Sequence, residues 1–343
     1  MVGIVEVAEL AGVSTATVSR ALNGKSHVSS RAREKVLEAA QELGYVASSS
    51  AFTLATGRAK NIGVVLPFVD RWFFSAVLEG AINSLVERGY DVTLYSLSGG
   101  PNNRRRVFSD LVLRKRVDGV LTVALKLSDE ELGQLTAINK PIVGIGGPIP
   151  GARSLAIDDE GAGRLATQHL ISLGHTAIGL ITGNQAAEMD FHQPNLRRTG
   201  YHEALLDANL DFQPQWLAEA DFTIGGGYYA AKQMLGDPRN APTAIFCASD
   251  EMGFGAIQAA RDLGLRVPQD ISIIGLDGHP LADFYGLTTI DQKTHQQGAR
   301  GATWLIDLLE GEDERQRLNI EKLETWPIDI EVRSSTARRT ETE

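Results

Sequence analysis

The segment Glu6–Gly24, EVAELAGVSTATVSRALNG, predicts two short helices joined by a tight turn. The first helix covers about residues 4–11 and ends at Gly12, because glycine readily adopts the left-handed conformation that terminates a helix. The second begins after Ser14, whose hydroxyl suits an N-cap, and runs to Leu22. A helix, a tight turn and a second helix form the arrangement that places the second helix in the major groove of DNA.

A third helix is predicted from residue 29 or 30 to Gly44. Three of its apolar side chains recur at helical spacing and are expected to be buried: Val36, Ala40 and Leu43. So short a module has little core of its own. A polar, serine-rich stretch follows it. We therefore predict a helix-turn-helix DNA-binding domain at 1–46 and a hinge or linker at 47–60.

Short side chains stand at the start of the second helix, where they can approach base edges in a groove. They are Thr15, Ala16 and Thr17. Ser19 and Arg20 are expected to reach a phosphate or a guanine. The same pattern also fits an ordinary solvated surface helix, and short motifs of this kind give false positives.

The net charge of −10 conceals an asymmetry along the chain. Residues 1–60 hold seven Lys and Arg against five Asp and Glu, whereas the remainder holds 26 against 38. No acidic residue lies between Leu10 and Arg33. A locally positive module in front of an acidic body favours a protein that contacts phosphates with its N-terminal part only.

From Asn61 onward, apolar runs of strand length alternate with helical patterns. The strands are predicted at 62–66, 92–97, 119–124, 142–145, 177–182, 243–248 and 271–276. This alternation indicates an α/β body with mostly parallel sheets and helices on both faces. Because about 280 residues exceed one comfortable core, we expect two lobes with a ligand cleft between them.

The segment 7–45, VAELAGVSTATVSRALNGKSHVSSRAREKVLEAAQELGY, resembles the DNA-binding domain of the LacI/GalR family of bacterial transcription regulators. The resemblance continues to near the C-terminus through GRAKNIGVVLP, GYDVTLYS, RVDGVLTVA, GRLATQHLISLGH and PTAIFCASDEMGFGAIQAARDLGLRVPQDISIIGLD. It implies a homodimeric regulator, most often a repressor, whose affinity for a near-palindromic operator depends on a small effector. It also implies a periplasmic-binding-protein-like body at 61–343. The N-lobe is expected at about 61–160 and 292–322, and the C-lobe at about 161–291 and 323–340.

The resemblance also implies roles for individual residues of the N-terminal module. Thr15 and Ala16 occupy the main base-contacting positions, and Leu54 matches a hinge leucine that wedges into the minor groove and kinks the duplex. The backbone or flanking contacts are expected at Thr17, Ser19, Arg20, Asn23, His27, Ser29 and Tyr45. The hinge departs from the family, because Ala47-Ser48-Ser49 replaces the usual Pro-Asn and Phe52 replaces an arginine.

The effector contacts that the resemblance implies combine aromatic rings, carboxylates and an arginine. They are Asp70, Arg71, Trp72, Phe73, Phe74, Asp158, Arg197, Phe222, Ser249, Asp250, Asp277 and Gln292. Such a set suits a polyhydroxylated ring, so we expect a sugar or a nucleoside, with a sugar slightly favoured. Ser249 stands where the family more often has Asn, and Gly278 where it often has a second Asp. Each of these residues alone also fits a structural role in a core or a helix cap.

Two other functions fit parts of the sequence. The segment Gly225–Ala230 satisfies the permissive Gly-x-Gly-x-x-Ala pattern of an NAD-linked oxidoreductase, but the preceding LAEADFTI is too polar for the buried first strand of that motif. A solute-binding protein would share the two-lobed body, but the N-terminal module and the absence of a signal-like start argue against it. The sequence contains no metal-ligand spacing, no Gly-x-Ser-x-Gly elbow and no Walker loop. We therefore expect a non-enzymatic, cytoplasmic protein without a cofactor, a metal ion or a membrane span.

Overall fold

The structure is a computed structural model that describes residues 2–22, 28–45, 58–114, 116–184, 193–311 and 322–339. The chain divides into two compact units, which we call the head (Met1–Lys60) and the body (Asn61–Glu343). Each is described by itself below. None of the described helices is long and apolar enough to cross a membrane.

The head contains the three predicted helices: α1 (Ile4–Ala11), α2 (Thr15–Leu22) and α3 (Ser30–Glu42). Gly12 ends α1 with φ 65°, and the Ser14 hydroxyl accepts a hydrogen bond from the Thr17 backbone N–H at 3.1 Å. Side chains of all three helices meet in a small core centred on Val7, Val18 and Val36. Leu43, which the periodicity predicts as buried, is only half-buried because it lies just beyond the last helical residue.

The first sheet of the body is entirely parallel, with strand order β11-β5-β4-β3-β1-β2. Its strands are β1 (Asn61–Leu66), β2 (Asp91–Ser96), β3 (Gly119–Val123), β4 (Ile142–Ile145), β5 (Arg153–Ile157) and β11 (Lys322–Trp326). The helices of this lobe are α4 (Trp72–Glu87), α5 (Pro101–Arg114), α6 (Asp129–Ala137) and α12 (Thr294–Glu310). A core that includes Ile62, Leu121 and Leu305 joins the sheet to α4 and α12.

The second sheet has the order β12-β10-β9-β8-β6-β7 and is parallel except for β12, which is antiparallel to β10. Its strands are β6 (Ile178–Gly183), β7 (Leu217–Ala220), β8 (Ala244–Cys247), β9 (Ser272–Asp277), β10 (Thr288–Asp291) and β12 (Asp329–Glu331). The helices of this lobe are α7 (Asp159–Ser172), α8 (Gln193–Asp207), α9 (Ile224–Met234), α10 (Asp250–Asp262) and α11 (Leu281–Tyr285). All seven strands expected from the sequence are present, and the predicted α/β class is confirmed.

Within the described residues, the chain passes between the lobes three times: after Ile157, after Asp291 and after Trp326. The prediction that the N-lobe ends at about residue 322 is wrong, because the whole of β11 pairs in parallel with β5. Trp326, its last residue, packs against the cores of both lobes. The carboxyl ends of the parallel strands in both sheets therefore face the space between the lobes, the usual position of a ligand site in α/β proteins.

Candidate functional site

One face of α2 is open to solvent. Thr15, Ala16 and Arg20 are exposed, whereas Val18 and Ala21 on the opposite face are buried in the head core. Because residues four apart lie on the same side of a helix, positions 16 and 20 point the same way. This face offers a hydroxyl, a methyl and a guanidinium together. Thr17 and Ser19 are half-buried, and the Thr17 hydroxyl lies 2.9 Å from that of Ser14.

The other predicted DNA contacts of the head do not belong to α2. Ser29 is the N-cap of α3, and its hydroxyl accepts from the Ala32 backbone N–H at 3.3 Å. Tyr45 is half-buried against the head core, and its backbone N–H donates to the Ala40 carbonyl at 2.8 Å. The remaining three predicted contacts lie outside the described residues: Asn23, His27 and Leu54.

A cavity of about 450 Å³ lies between the two lobes of the body. The first lobe contributes an aromatic wall, in which Phe74 meets Phe68 at 5.9 Å and Phe73 at 5.3 Å between ring centroids. The second lobe contributes charged and polar side chains, together with the Phe222 ring. Eight of the twelve predicted effector contacts line the cavity: Arg71, Phe73, Phe74, Arg197, Phe222, Ser249, Asp277 and Gln292. A cavity of this size with one aromatic and one polar side fits a small amphipathic ligand.

Arg197 is held in place by a buried ion pair. Its Nε and Nη2 atoms lie 2.8 Å from Oδ1 of Asp159, and Nη1 donates to the Ala248 carbonyl at 2.5 Å. Both side chains are less than a tenth exposed. The predicted contact Asp158 does not line the cavity: it is exposed and caps α7 by accepting from the Gly161 N–H at 2.8 Å. The carboxylate that faces the cavity is therefore its neighbour in sequence.

Asp277, at the end of β9, and Asp250, at the start of α10, form a pair of buried carboxyl groups. Asp277 Oδ1 accepts from Gln292 Nε2 at 2.6 Å, and Asp250 Oδ1 accepts from Thr289 Oγ1 at 2.6 Å. Burial raises the pKa of Asp250 to about 7, and burial together with the charge of Asp250 raises the pKa of Asp277. Asp277 lines the cavity, whereas Asp250 is completely buried and lies outside the lining.

The segment after β1 connects the lobes. Arg71 lines the cavity with its guanidinium 4.0 Å from Asp221 of the second lobe. The Trp72 backbone N–H lies 3.4 Å from Oε2 of Glu251, and its ring lies 4.6 Å from that of His279. Asp70 is exposed, and neither Asp70 nor Trp72 is part of the cavity lining. Trp72 therefore contacts the opposite lobe instead of the cavity.

Several lining residues were not predicted from the sequence, and three of them are immediate neighbours of predicted ones. These are Asp159, Asp221 and Glu251, which follow Asp158, precede Phe222 and follow Asp250 respectively. Phe68, Asn184, Gln193 and Gln297 also line the cavity and had no motif to mark them. At a strand end, the direction of successive side chains is set by the turn that follows, which periodicity does not fix.

Phe222 has an unusual backbone conformation, with φ 59°, which is strained for a bulky residue. Its ring lies directly over Gly183, where a Cβ atom would come within 2.1 Å of the ring. The glycine at the end of β6 thus allows the ring to lie flat against the sheet and face the cavity.

The glycines of the Gly225–Ala230 motif are explained by helix packing. A Cβ atom on Gly227 would lie 2.3 Å from the Met252 carbonyl oxygen, so α9 and α10 cross closely at this glycine. The Gly226 N–H donates to the N-cap residue Thr223 at 2.8 Å. The preceding strand, β7, is an edge strand, not the central first strand of a dinucleotide motif.

Comparisons with known proteins agree on one family. Residues 3–48 match the description "bacterial regulatory proteins, lacI family", and residues 167–336 match a periplasmic binding protein-like domain. The HTH-type transcriptional repressor PurR of Aliivibrio fischeri is 33% identical over 345 residues, 99% of each chain.

Two solved structures extend the likeness to the three-dimensional fold. The lac repressor dimer bound to operator and the anti-inducer ONPF is similar at 30% identity and TM-score 0.84, covering 98% of this chain and 99% of that one. The regulator CelR in complex with cellobiose is similar at 31% identity and TM-score 0.70, over 98% and 100%. The resemblance expected from the sequence is thus confirmed: the chain belongs to the lacI family of bacterial regulatory proteins and is a transcriptional regulator with a DNA-binding head and a ligand-binding body.

Proposed function

We propose that this regulator represses transcription by binding a near-palindromic operator as a homodimer, and that a small ligand in the interlobe cavity sets its operator affinity. The observation that carries the proposal is the cavity of about 450 Å³, to which both lobes contribute aromatic rings and charged groups. A ligand there touches both lobes at once, so its binding energy depends on how the lobes are placed. A twofold symmetric dimer presents two heads to two half-sites.

In the head, the exposed face of α2 is the proposed base-reading surface. Thr15 and Ala16 would contact base edges, and Arg20 a guanine or a phosphate. Thr17, Ser19, Ser29 and Tyr45 would contribute flanking contacts, and Asn23, His27 and Leu54 keep the roles that the family implies. Among these, the exposure of Thr15, Ala16 and Arg20 supports direct contact.

The ligand is proposed to be a small polyhydroxylated ring, a sugar or a nucleoside. The aromatic wall would cover the C–H face of such a ring, while amide and carboxylate groups bind its hydroxyls. The complex of CelR with cellobiose supports a sugar. The proposed contacts are the eight predicted residues that line the cavity, together with Asp159, Asp221 and Glu251.

The cavity is proposed to bind its ligand without transforming it, because the family consists of regulators. A repressor acts on chromosomal DNA, so we place the protein in the bacterial cytoplasm. A solute-binding function would explain the body but would give no role to the head, whose residues 3–48 match the lacI family of regulatory proteins.

Fluorescence anisotropy with promoter-derived and random duplexes at one salt concentration tests the DNA part of the proposal. Thr15→Ala is expected to weaken binding to the preferred duplex by about 1–3 kcal/mol and to leave binding to random duplex unchanged. Gln41→Ala, an exposed change on α3, is the matched control and should alter neither. Equal binding of the unmodified protein to every duplex would contradict the proposal.

The ligand part is tested by measuring ligand affinity with and without the preferred duplex. Linkage requires that a ligand which changes operator affinity has its own affinity changed by the same factor, typically 5–150-fold. A ligand that binds the cavity with identical affinity in both conditions would show that cavity and head are not coupled.

A further inference from the structure

The cavity lining carries more negative than positive charge. Among its described residues, four are acidic and two are basic: Asp159, Asp221, Glu251 and Asp277 against Arg71 and Arg197. Carboxylates also accept hydrogen bonds from the hydroxyls of an uncharged ring, so the excess alone does not set the charge of the ligand. The pairing of each carboxyl group decides whether the cavity favours a cation.

Ion pairs account for only two of the four carboxylates. Arg197 pairs with Asp159 at 2.8 Å and Arg71 with Asp221 at 4.0 Å. Arg71 also lies near enough to Glu251 to influence its pKa, but one guanidinium cannot neutralise two carboxylates. Burial and the charge of Asp250 raise the pKa of Asp277 in spite of the nearby Arg197 cation, and neither Glu251 nor Asp277 forms an ion pair with a described lining residue.

Glu251 and Asp277 accept hydrogen bonds from neutral donors. Glu251 accepts from the Trp72 N–H at a long 3.4 Å, and Asp277 accepts from Gln292 at 2.6 Å. Burial raises the pKa of both groups, and for Asp277 the charge of Asp250 adds to the effect. A positive charge placed between them would be stabilised by both.

The aromatic wall favours the same kind of group. Phe68, Phe73, Phe74 and Phe222 surround the cavity, and the faces of aromatic rings attract cations. Aromatic faces combined with carboxylates are a common arrangement for binding an ammonium group. Arg71 adds a second requirement, because its Nη1 atom is buried without an acceptor among the described residues and can bind a ligand oxygen.

We propose that the effector is a polyhydroxylated ring that carries a protonated amine, as amino sugars do, with the amine bound between Glu251 and Asp277 and a ring oxygen bound to Arg71. This inference rests on the proposed function, because it specifies the ligand of the same cavity. It differs from a neutral sugar or nucleoside in one measurable property, the charge of the ligand.

Thermal stabilisation of the full-length protein by matched ligands tests the inference. The probes are glucosamine, galactosamine and mannosamine, each compared with its neutral parent sugar and with its N-acetyl derivative, which keeps the nitrogen but removes the charge. At least one amine is expected to stabilise the protein and, by calorimetry, to bind at least tenfold more tightly than both neutral forms. A neutral form that binds as tightly, or a set of amines without effect, overturns the inference.

Two variants then connect the preference to the residues. Glu251→Gln keeps the shape of the side chain but removes its charge, and is expected to reduce the amine-over-neutral preference by about tenfold. Glu219→Gln removes the same charge from an exposed position of β7 outside the cavity and should leave the preference unchanged. A preference that survives Glu251→Gln also overturns the inference. If neutral ligands bind and alter operator affinity, the inference fails while the proposed function stands; if no duplex is preferred, the proposed function itself fails.

Discussion

Replacing Arg197 with methionine is expected to destabilise the body by about 3–5 kcal/mol, the cost of removing one partner from a buried ion pair. Methionine preserves the length of the side chain but leaves the Asp159 carboxylate buried without its cation. The Ala248 carbonyl loses its donor as well. Because a domain is stable by only about 5–15 kcal/mol, this loss is a large fraction of the total.

The size of the effect has a ceiling that the pH sets. Once Arg197 is gone, the carboxyl group of Asp159 can take up a proton instead of remaining charged, at a cost of about 1.4 kcal/mol for each unit by which the pH exceeds the ordinary pKa of an aspartic acid. Removing the charge in advance should therefore restore stability. The double variant Asp159→Asn with Arg197→Met is expected to recover most of the loss, because a buried pair can often be replaced by neutral groups at little cost.

Urea unfolding followed by circular dichroism measures these free energies of unfolding. Arg164→Met is the matched control: Arg164 joins the same two helices, α7 and α8, by ion pairs with Glu203 and Asp207, but at a surface where about a third of the side chain is exposed. Exposed pairs contribute about 0–1 kcal/mol. The reasoning is refuted if Arg197→Met costs no more than Arg164→Met, or if adding Asp159→Asn makes the protein still less stable.

Three further predictions concern other parts of the chain. Gly12→Val should destabilise the head by about 1–2 kcal/mol, seen in its thermal unfolding, because φ 65° suits glycine and no neighbour within 4 Å would otherwise oppose the side chain; no loss would contradict the turn geometry. Gly227→Ala should lower the melting temperature, because the added Cβ would be too close to Met252, and should leave NAD binding unchanged. A variant that stays stable but loses the ability to bind NAD would instead support the dinucleotide motif. Burial lowers the pKa of His175, so the unfolded chain takes up a proton below about pH 6.5 before the folded chain does, and stability should fall as the pH drops through that range. His175→Asn should therefore reduce the slope of melting temperature against pH, and an unchanged slope would contradict this prediction.

The central strands of the body were predictable because they are buried on both faces and form continuous apolar runs. Residues 142–145 and the run at 119–124 correspond to β4 and β3 within one residue. The sequence did not predict the edge strands β7, β11 and β12, nor β5 and β10, which lie inside the sheets but span only five and four residues. An edge strand has one unpaired side and needs fewer apolar residues, so its pattern is weaker, although the longer edge strand β2 was predicted.

The position of the cavity between the lobes was predictable from the sequence, but the identity of its lining residues was less so. Asp277 and Gln292 were found because family motifs mark the ends of β9 and β10. The sequence does not distinguish Asp158 from Asp159, because both carboxylates follow the same strand and only the start of α7 decides which one caps the helix and which one turns inward. Helix capping is local, whereas the inward position depends on Arg197, which is 38 residues away along the chain.

Several of the described contacts that join the two lobes across the cavity are long, and this makes the body suitable for regulation. Arg71 lies 4.0 Å from Asp221 and Trp72 lies 3.4 Å from Glu251. Shorter hydrogen bonds join Gln193 to the Gly146 carbonyl at 2.9 Å and Gln292 to Asp277 at 2.6 Å. The long contacts contribute little each. A ligand that binds both walls adds contacts of its own, and a coupling free energy of about 1–3 kcal/mol is enough to shift an equilibrium between two arrangements. The three chain crossings keep the lobes together whatever the ligand does, so binding energy can act on the arrangement of the lobes instead of on their folding.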